Sequence, residues 1–176
     1  DSLTGLSNRG RYLSDLDTTL RESLSGNRKW ALIHLDLDKF KKINDAYGQT
    51  AGDSLLKEVA SRIRETAGDG ARIARLAADH FTILIAVGGS TDQASALTGK
   101  LLNALHQPIE LRAGEFHVTG SAGIVLLQHD ARDADEAHRN AGLALRKAKA
   151  TGDRAVIFSS ELHDESENNI RIERML

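Results

Sequence analysis

The sequence predicts an α+β fold, a mainly antiparallel sheet covered by helices. Segments with helical apolar spacing are interleaved with short apolar and β-branched runs along the 176 residues. Two stretches, 71–87 and 108–127, hold adjacent strand-like runs, which marks hairpins rather than a strictly alternating parallel fold. The chain has one-domain size, and at 40% hydrophobic and 27% charged residues it can bury a sizeable core.

Each element has its own reason. From Ser7 onward, Tyr12, Leu13, Leu16 and Leu20 fall at helical spacing, with Ser7 or Asn8 as N-cap and Gly26 as stop. "KWALIHLDLD" is nearly continuous in apolar residues and reads as a central strand, with Trp30 packing at its start. "KFKKINDAYG" is a short helical turn ending at Gly48. Leu55, Leu56, Val59, Ala60 and Ile63 form one apolar helix face, closed by Gly68 and Gly70. "ARIARL" and "HFTILIAV" are hairpin arms around Ala77-Ala78-Asp79, a middle without the glycine that a tight turn favours. A helix capped by Ser90 or Thr91 puts Leu97, Leu101, Leu102 and Leu105 inward. Gly88-Gly89-Ser90 before it is a cap and turn, since no GK[ST] follows. "PIELRAGEFHVTGSAGIVLL" reads as one hairpin about Ala113-Gly114. "DADEAHRNAGLALRKAKATG" is a helix with acids first and bases last, as its dipole favours. "RAVIF" is a last strand, and the tail from 161 to 176 is a polar helix.

The bulk numbers exclude several functions. Net charge is -2, from 23 basic and 25 acidic residues, so nothing global draws the chain to nucleic acid or an anionic membrane. Without cysteine there are no disulfides and no thiolate zinc sites. No apolar run approaches the roughly 20 residues of a membrane span, and the opening is not a signal peptide. A cytoplasmic location is expected. The chain opens on Asp1 rather than methionine and reads as a piece of something larger.

Asp36 and Asp38 end the central strand on one face, where polar groups escape the core. Carboxylates with an open edge suit Mg²⁺, which prefers hard oxygen ligands and often bridges phosphates. Lys39, Lys41 and Lys42 follow and could meet those phosphates. The alternative is that these acids only solubilise a turn. A hairpin beside the strand could carry Asp79 to Asp36; alternatively, Asp79 is a turn residue bonded to nearby backbone. His34 shares the face of Asp36, as a supporting group or a satisfied interior histidine. His106, His117, His129, His138 and His163 are scattered, with no metal spacing.

Four segments resemble the GGDEF family of diguanylate cyclases, in order and at family spacing. They are "DSLTGLSNRGRY", "HLDLDKFKKINDAYGQTAGDSLLKEVASRIR", "RLAADHF" and "LALRKAKATGDRAVIF". The family condenses two GTP into cyclic di-GMP across two facing domains, so a homodimer is compatible with it. The resemblance implies a central, mostly antiparallel five-stranded sheet wrapped by helices, like nucleotide cyclases and polymerase palms. It also implies a domain over 1–160. Asp36, the Leu37 carbonyl and Asp79 would hold Mg²⁺. Asn44 and Asp53 would bond the guanine edge. The backbone at Lys39 and Phe40, with Lys41 and Lys149, would meet the phosphates.

Three departures argue against turnover. Both motif glycines are alanines, Ala77 and Ala78; a left-handed alanine costs about 1–2 kcal/mol, and its methyl intrudes on bound nucleotide. If the hairpin adopts another turn, Asp79 moves. The motif glutamate is His80, which cannot replace a negative charge. The phosphate-contacting arginine is Asp153, and Arg154 next to it points to the other face if 154–158 is strand. The family's inhibitory R-x-x-D window reads Gly68-Asp69-Gly70-Ala71, so product inhibition there is not expected. The tail resembles the segment joining a GGDEF domain to a following EAL phosphodiesterase domain, and an upstream sensory domain is expected. The leading expectation is therefore a degenerate GGDEF domain with a regulatory or GTP-binding role, without nucleic-acid or membrane contact. The alternatives are an active cyclase and a non-binding dimerisation scaffold.

Overall fold

The computed structural model describes residues 1–88, 90–152, 154–162, 164 and 171. The elements run α1 (Arg9–Leu24), β1 (Lys29–Leu37), α2 (Phe40–Tyr47), α3 (Gln49–Ala67), β2 (Arg72–Ala77), β3 (His80–Val87), α4 (Thr91–His106), β4 (Ile109–Leu111), β5 (Gly114–Phe116), β6 (Gly120–Leu126), α5 (Leu127–Asp130), α6 (Ala134–Thr151) and β7 (Ala155–Ile157). The main sheet has five strands in the order β2-β3-β1-β6-β7. All neighbours are antiparallel except β6 and β7. This is the predicted α+β architecture, with β1 at its centre.

Strand alternation divides the core into two layers. Ala31, Ile33, Leu35 and Leu37 of β1 join Leu55, Val59 and Ile63 of α3 and Leu101, Leu102 and Leu105 of α4. Trp30 and Leu32 face the other way, with Tyr12, Leu16 and Leu20 of α1 and Ala137, Ala141 and Ala144 of α6. Asn8 caps α1 by accepting the Arg11 N–H at 3.0 Å, and Ser90 caps α4. Trp30 packs at the strand start as expected, and its indole N–H donates to Glu22 at 2.7 Å.

The stretch 108–127 differs from the expected single hairpin. β4 and β5 form a separate two-stranded sheet, and β6 leaves it to pair with β1. The small residues of β6 give the physical reason. A Cβ on Gly123 would overlap the Ala141 carbonyl and the Leu145 N–H, so this strand is built to lie against the backbone of α6. Alternation and a glycine turn gave the hairpin; helix-to-sheet approach decides where the second arm ends. The short helix α5 was also not foreseen. Asp153, His163 and most of the expected connector 161–176 lie outside the described residues.

Candidate functional site

The site lies at the C-terminal end of β1. The register opposes Asp36 to His80 on β3 and to Ser121 on β6. Beyond β1 the chain turns at Lys39, the one non-glycine residue with positive φ (58°) among those described. That conformation starts α2 without a side-chain cap, and the Lys42 N–H of its first turn donates to the Lys39 carbonyl at 3.0 Å.

The hairpin turn is made without a left-handed residue, for neither Ala77, Ala78 nor Asp79 has positive φ. Ala77 pairs with His80, and the register slips between Arg75 and Ala77. A two-residue turn of ordinary φ splays its strands, and a bulge adds twist that opposes this. The two alanines thus avoid the left-handed strain expected of them. The turn is fastened on both sides. Leu37 donates its N–H to the Asp79 carbonyl at 3.1 Å, and Arg75 reaches the Ala78 carbonyl at 3.3 Å. Arg75 also pairs with Asp1 at 2.8 Å, which ties the opening segment to the hairpin.

The structure brings Asp79 to Asp36. Burial and the neighbouring Asp36 charge raise the Asp79 pKa, with Lys149 acting against them. Lys149, on the last turn of α6, places Nζ 2.6 Å from Asp36 Oδ2 and 3.9 Å from Asp38 Oδ1. Asp38 is held by the hydroxyls of Thr119 (2.8 Å) and Ser121 (3.0 Å). Asp36 Oδ1 is buried without a partner. The carboxylate oxygens are the hard donors that Mg²⁺ takes, while the Lys149 ammonium on Asp36 Oδ2 competes with a cation for that oxygen. Among the described residues no three His, Asp or Glu side chains stand ready to hold a metal ion. A Mg²⁺ here would rest on two carboxylates and the Leu37 carbonyl, with remaining positions left to water or phosphate.

The expected guanine pair sits one layer away. Asn44 on α2 and Asp53 on α3 share the α2–α3 junction. A Cβ on Gly52 would overlap Asn44 Oδ1, so Gly52 makes room for that side chain. Asn44 Oδ1 is buried against Gly52 and has no hydrogen-bond partner among the described residues. Lys41 is exposed on the first turn of α2.

Sequence reasoning missed a polar cluster. His138 is not an isolated histidine: its Nδ1 lies 2.8 Å from the Tyr12 hydroxyl, which also lies 3.1 Å from His34 Nε2. The His34 ring is 5.0 Å from that of His80 and 4.9 Å from that of His138. His34 is satisfied at one nitrogen only; its Nδ1, His80 Nε2 and Thr82 Oγ1 are buried without partners. Burial lowers the His34 pKa well below its usual value, helped by His80 and His138. Burial also lowers His80, against the pull of Asp79, and lowers His138, with Arg9 adding to the shift. All three are neutral near pH 7. Period-two spacing places His34 with Asp36 and His80 with Thr82, but nothing in the sequence indicates that α1 and α6 close over them with Tyr12 and His138.

The model of the family described as diguanylate cyclase, GGDEF domain, matches residues 1–155. The chain belongs to the GGDEF family. It is 36% identical to the cyclic di-GMP phosphodiesterase NbdA of Pseudomonas aeruginosa, over 100% of this chain and 22% of that protein. It is 37% identical to the bifunctional diguanylate cyclase/cyclic di-GMP phosphodiesterase MucR of the same organism, over 90% of this chain and 23% of that protein. It thus spans under a quarter of either relative. Among solved structures, the GGDEF domain of TpbB from Pseudomonas aeruginosa matches with a TM-score of 0.86 and 30% identity, over 96% of this chain and 98% of that one. The DgcB GGDEF domain from Caulobacter crescentus, solved with c-di-GMP, matches with a TM-score of 0.79 and 25% identity, over 89% of this chain and 91% of that one. No helix among the described residues is long and apolar enough to cross a membrane.

Proposed function

We propose that this domain binds GTP with Mg²⁺, turns it over poorly, and acts as a regulatory module in cyclic di-GMP signalling. The observation that carries this reading is the contrast at the end of β1. The positions expected to anchor ligand keep their side chains, while His80 lies against His34 with its Nε2 buried. Asn44 and Asp53 would bond the guanine edge, Asp36, Leu37 and Asp79 would hold the metal, and Lys39, Phe40, Lys41 and Lys149 would face the phosphates. Mg²⁺ would neutralise phosphate charge. Catalysis needs interactions strongest in the transition state, so binding can outlast it. A neutral imidazole packed on another imidazole supplies neither the charge nor the mobility of a carboxylate.

The regulatory output would pass through residues 161–176 to a linked EAL phosphodiesterase domain; two relatives of this chain are themselves named as phosphodiesterases. The test is GTP titration by calorimetry with and without Mg²⁺, paired with a product assay. GTP binding that strengthens with Mg²⁺ and little cyclic di-GMP is the expected result. Ordinary turnover would overturn the regulatory reading, and absence of GTP binding by folded protein would overturn the binding one.

A further inference from the structure

A cavity of about 540 Å³ opens beside the carboxylates, between the ends of β1 and β6 and the last turn of α6. Asp38, Lys39, Thr119, Ser121, Lys149 and Arg154 line it. Its charges are unequally committed. Both Asp38 oxygens are held by hydroxyls, and the Lys149 ammonium is spent on Asp36 at 2.6 Å. Arg154, like Lys39, has no ion-pair partner among the described residues. Its carbonyl is fixed in the sheet by the Ala122 N–H at 2.8 Å, so its position is set by the backbone. Its exposed guanidinium makes one 3.2 Å bond, to the neutral amide of Asn103 on α4. Among the described residues no carboxylate closes on it. A guanidinium carries five N–H donors in a planar fork matched to phosphate oxygens, and most of that capacity is still open here.

We propose that Arg154 supplies the guanidinium that grips the outer phosphates of a bound nucleoside triphosphate in this chain, and that Asn103 holds it in place while the site is empty. The proposal rests on the reading of this domain as a GTP binder. The aspartate at 153 reverses the charge at the position where the family resemblance places an arginine; the cation sits one residue further on, and because β7 begins only at Ala155, strand alternation does not turn it from the cavity that it lines. A ligand phosphate competes easily with a neutral amide for a guanidinium, because charge-assisted bonds are about twice as strong as neutral ones.

The test compares GTP and GMP binding in Mg²⁺ by calorimetry for wild type, Arg154→Ala and Arg154→Lys. GMP lacks the outer phosphates, so it reports the guanine half of the site alone. Arg154→Ala is expected to weaken GTP about tenfold or more and to leave GMP unchanged, as loss of a charged hydrogen-bond donor implies. Arg154→Lys is expected to recover only part, since an ammonium lacks the fork. Asn103→Ala is expected to leave GTP affinity at or above that of wild type; a fall would overturn the role of Asn103. Wild type that prefers GTP to GMP, with Arg154→Ala binding GTP equally well, would overturn the Arg154 assignment alone. Equal weakening of both ligands would overturn it too, by showing a structural role. Wild type that binds neither ligand would overturn the GTP-binding reading, and this assignment with it.

Discussion

The two faces of the central strand are built on different terms. Toward α3 and α4, β1 presents Ala31, Ile33, Leu35 and Leu37, all buried among apolar side chains. Toward α1 and α6 it presents Trp30, Leu32, His34 and Asp36, and the last two sit among polar atoms without partners. One face is a dry core whose worth scales with apolar area. The other begins as core at Trp30 and ends as a polar site that the fold must support. An unsatisfied buried donor or acceptor costs about 1–3 kcal/mol. The α1–α6 face therefore gives up stability near Asp36, and the α3–α4 face has to supply it.

Substitution breaks this comparison most sharply. Leu35→Ala on the dry face is expected to cost about 2–5 kcal/mol, read as a fall in the urea midpoint. His34→Leu, its neighbour on the polar face, is expected to cost under about 1 kcal/mol or to stabilise, because an unpaired buried nitrogen leaves with the ring. Tyr12 keeps His138 as a partner in that variant. Equal losses from the two would show that the polar face contributes as a core does. Gly123→Ala should fall between them, at about 1–3 kcal/mol, since the new methyl meets backbone of α6 rather than a side chain that can swing away.

The same contrast has a pH signature. Free imidazole protonates near pH 6.5. His34, His80 and His138 protonate lower in the folded state, mainly because burial disfavours the charged ring. Below about pH 6.5 the unfolded chain then binds more protons than the folded one, so stability drops as pH falls. The charges facing His138 are Arg9, which reinforces the shift, and Asp135, which opposes it. Asp79 and Asp130 have raised pKa values, both chiefly from burial, and work in the opposite sense at more acid pH. The urea midpoint is expected to be lower at pH 5.5 than at pH 7.5, and His34→Leu should flatten that slope. A slope unchanged in the variant would remove His34 from the account.

How much was legible in the sequence follows from the range of the interactions. Helix and strand positions depend on spacing within a segment: α3 and α4 appear where Leu55, Val59, Leu101 and Leu105 place them, and β1 where the nearly continuous apolar run from Trp30 to Leu37 does. Asp36 and Asp79 meet because a hairpin beside a central strand leaves its turn little choice. The end of the second hairpin arm depends on how closely α6 approaches Gly123, a contact between segments that no local pattern encodes. The His34–Tyr12–His138 cluster is of the same kind: two helices and a strand supply one group each. Lys149 was expected to face phosphate, and the structure adds that it rests on Asp36, because the end of α6 lies over the end of β1.

The smallest expected effect concerns the turn itself. Glycine at 77 and 78 would return the letters of the family motif, yet here the alanines sit at ordinary negative φ and bear no left-handed strain. Glycine there relieves nothing in the folded state and adds freedom to the unfolded one. Ala77→Gly and Ala78→Gly are each expected to lower stability by about 0.4–1 kcal/mol, read by chemical denaturation. The turn is also held from outside by Arg75, Asp1 and the Leu37 N–H, so glycine alone should leave Asp79 where it is. If the double variant instead gained stability, the alanines must be strained after all. The proposed contrast between retained anchors and altered chemistry would then rest on backbone energy rather than on His80.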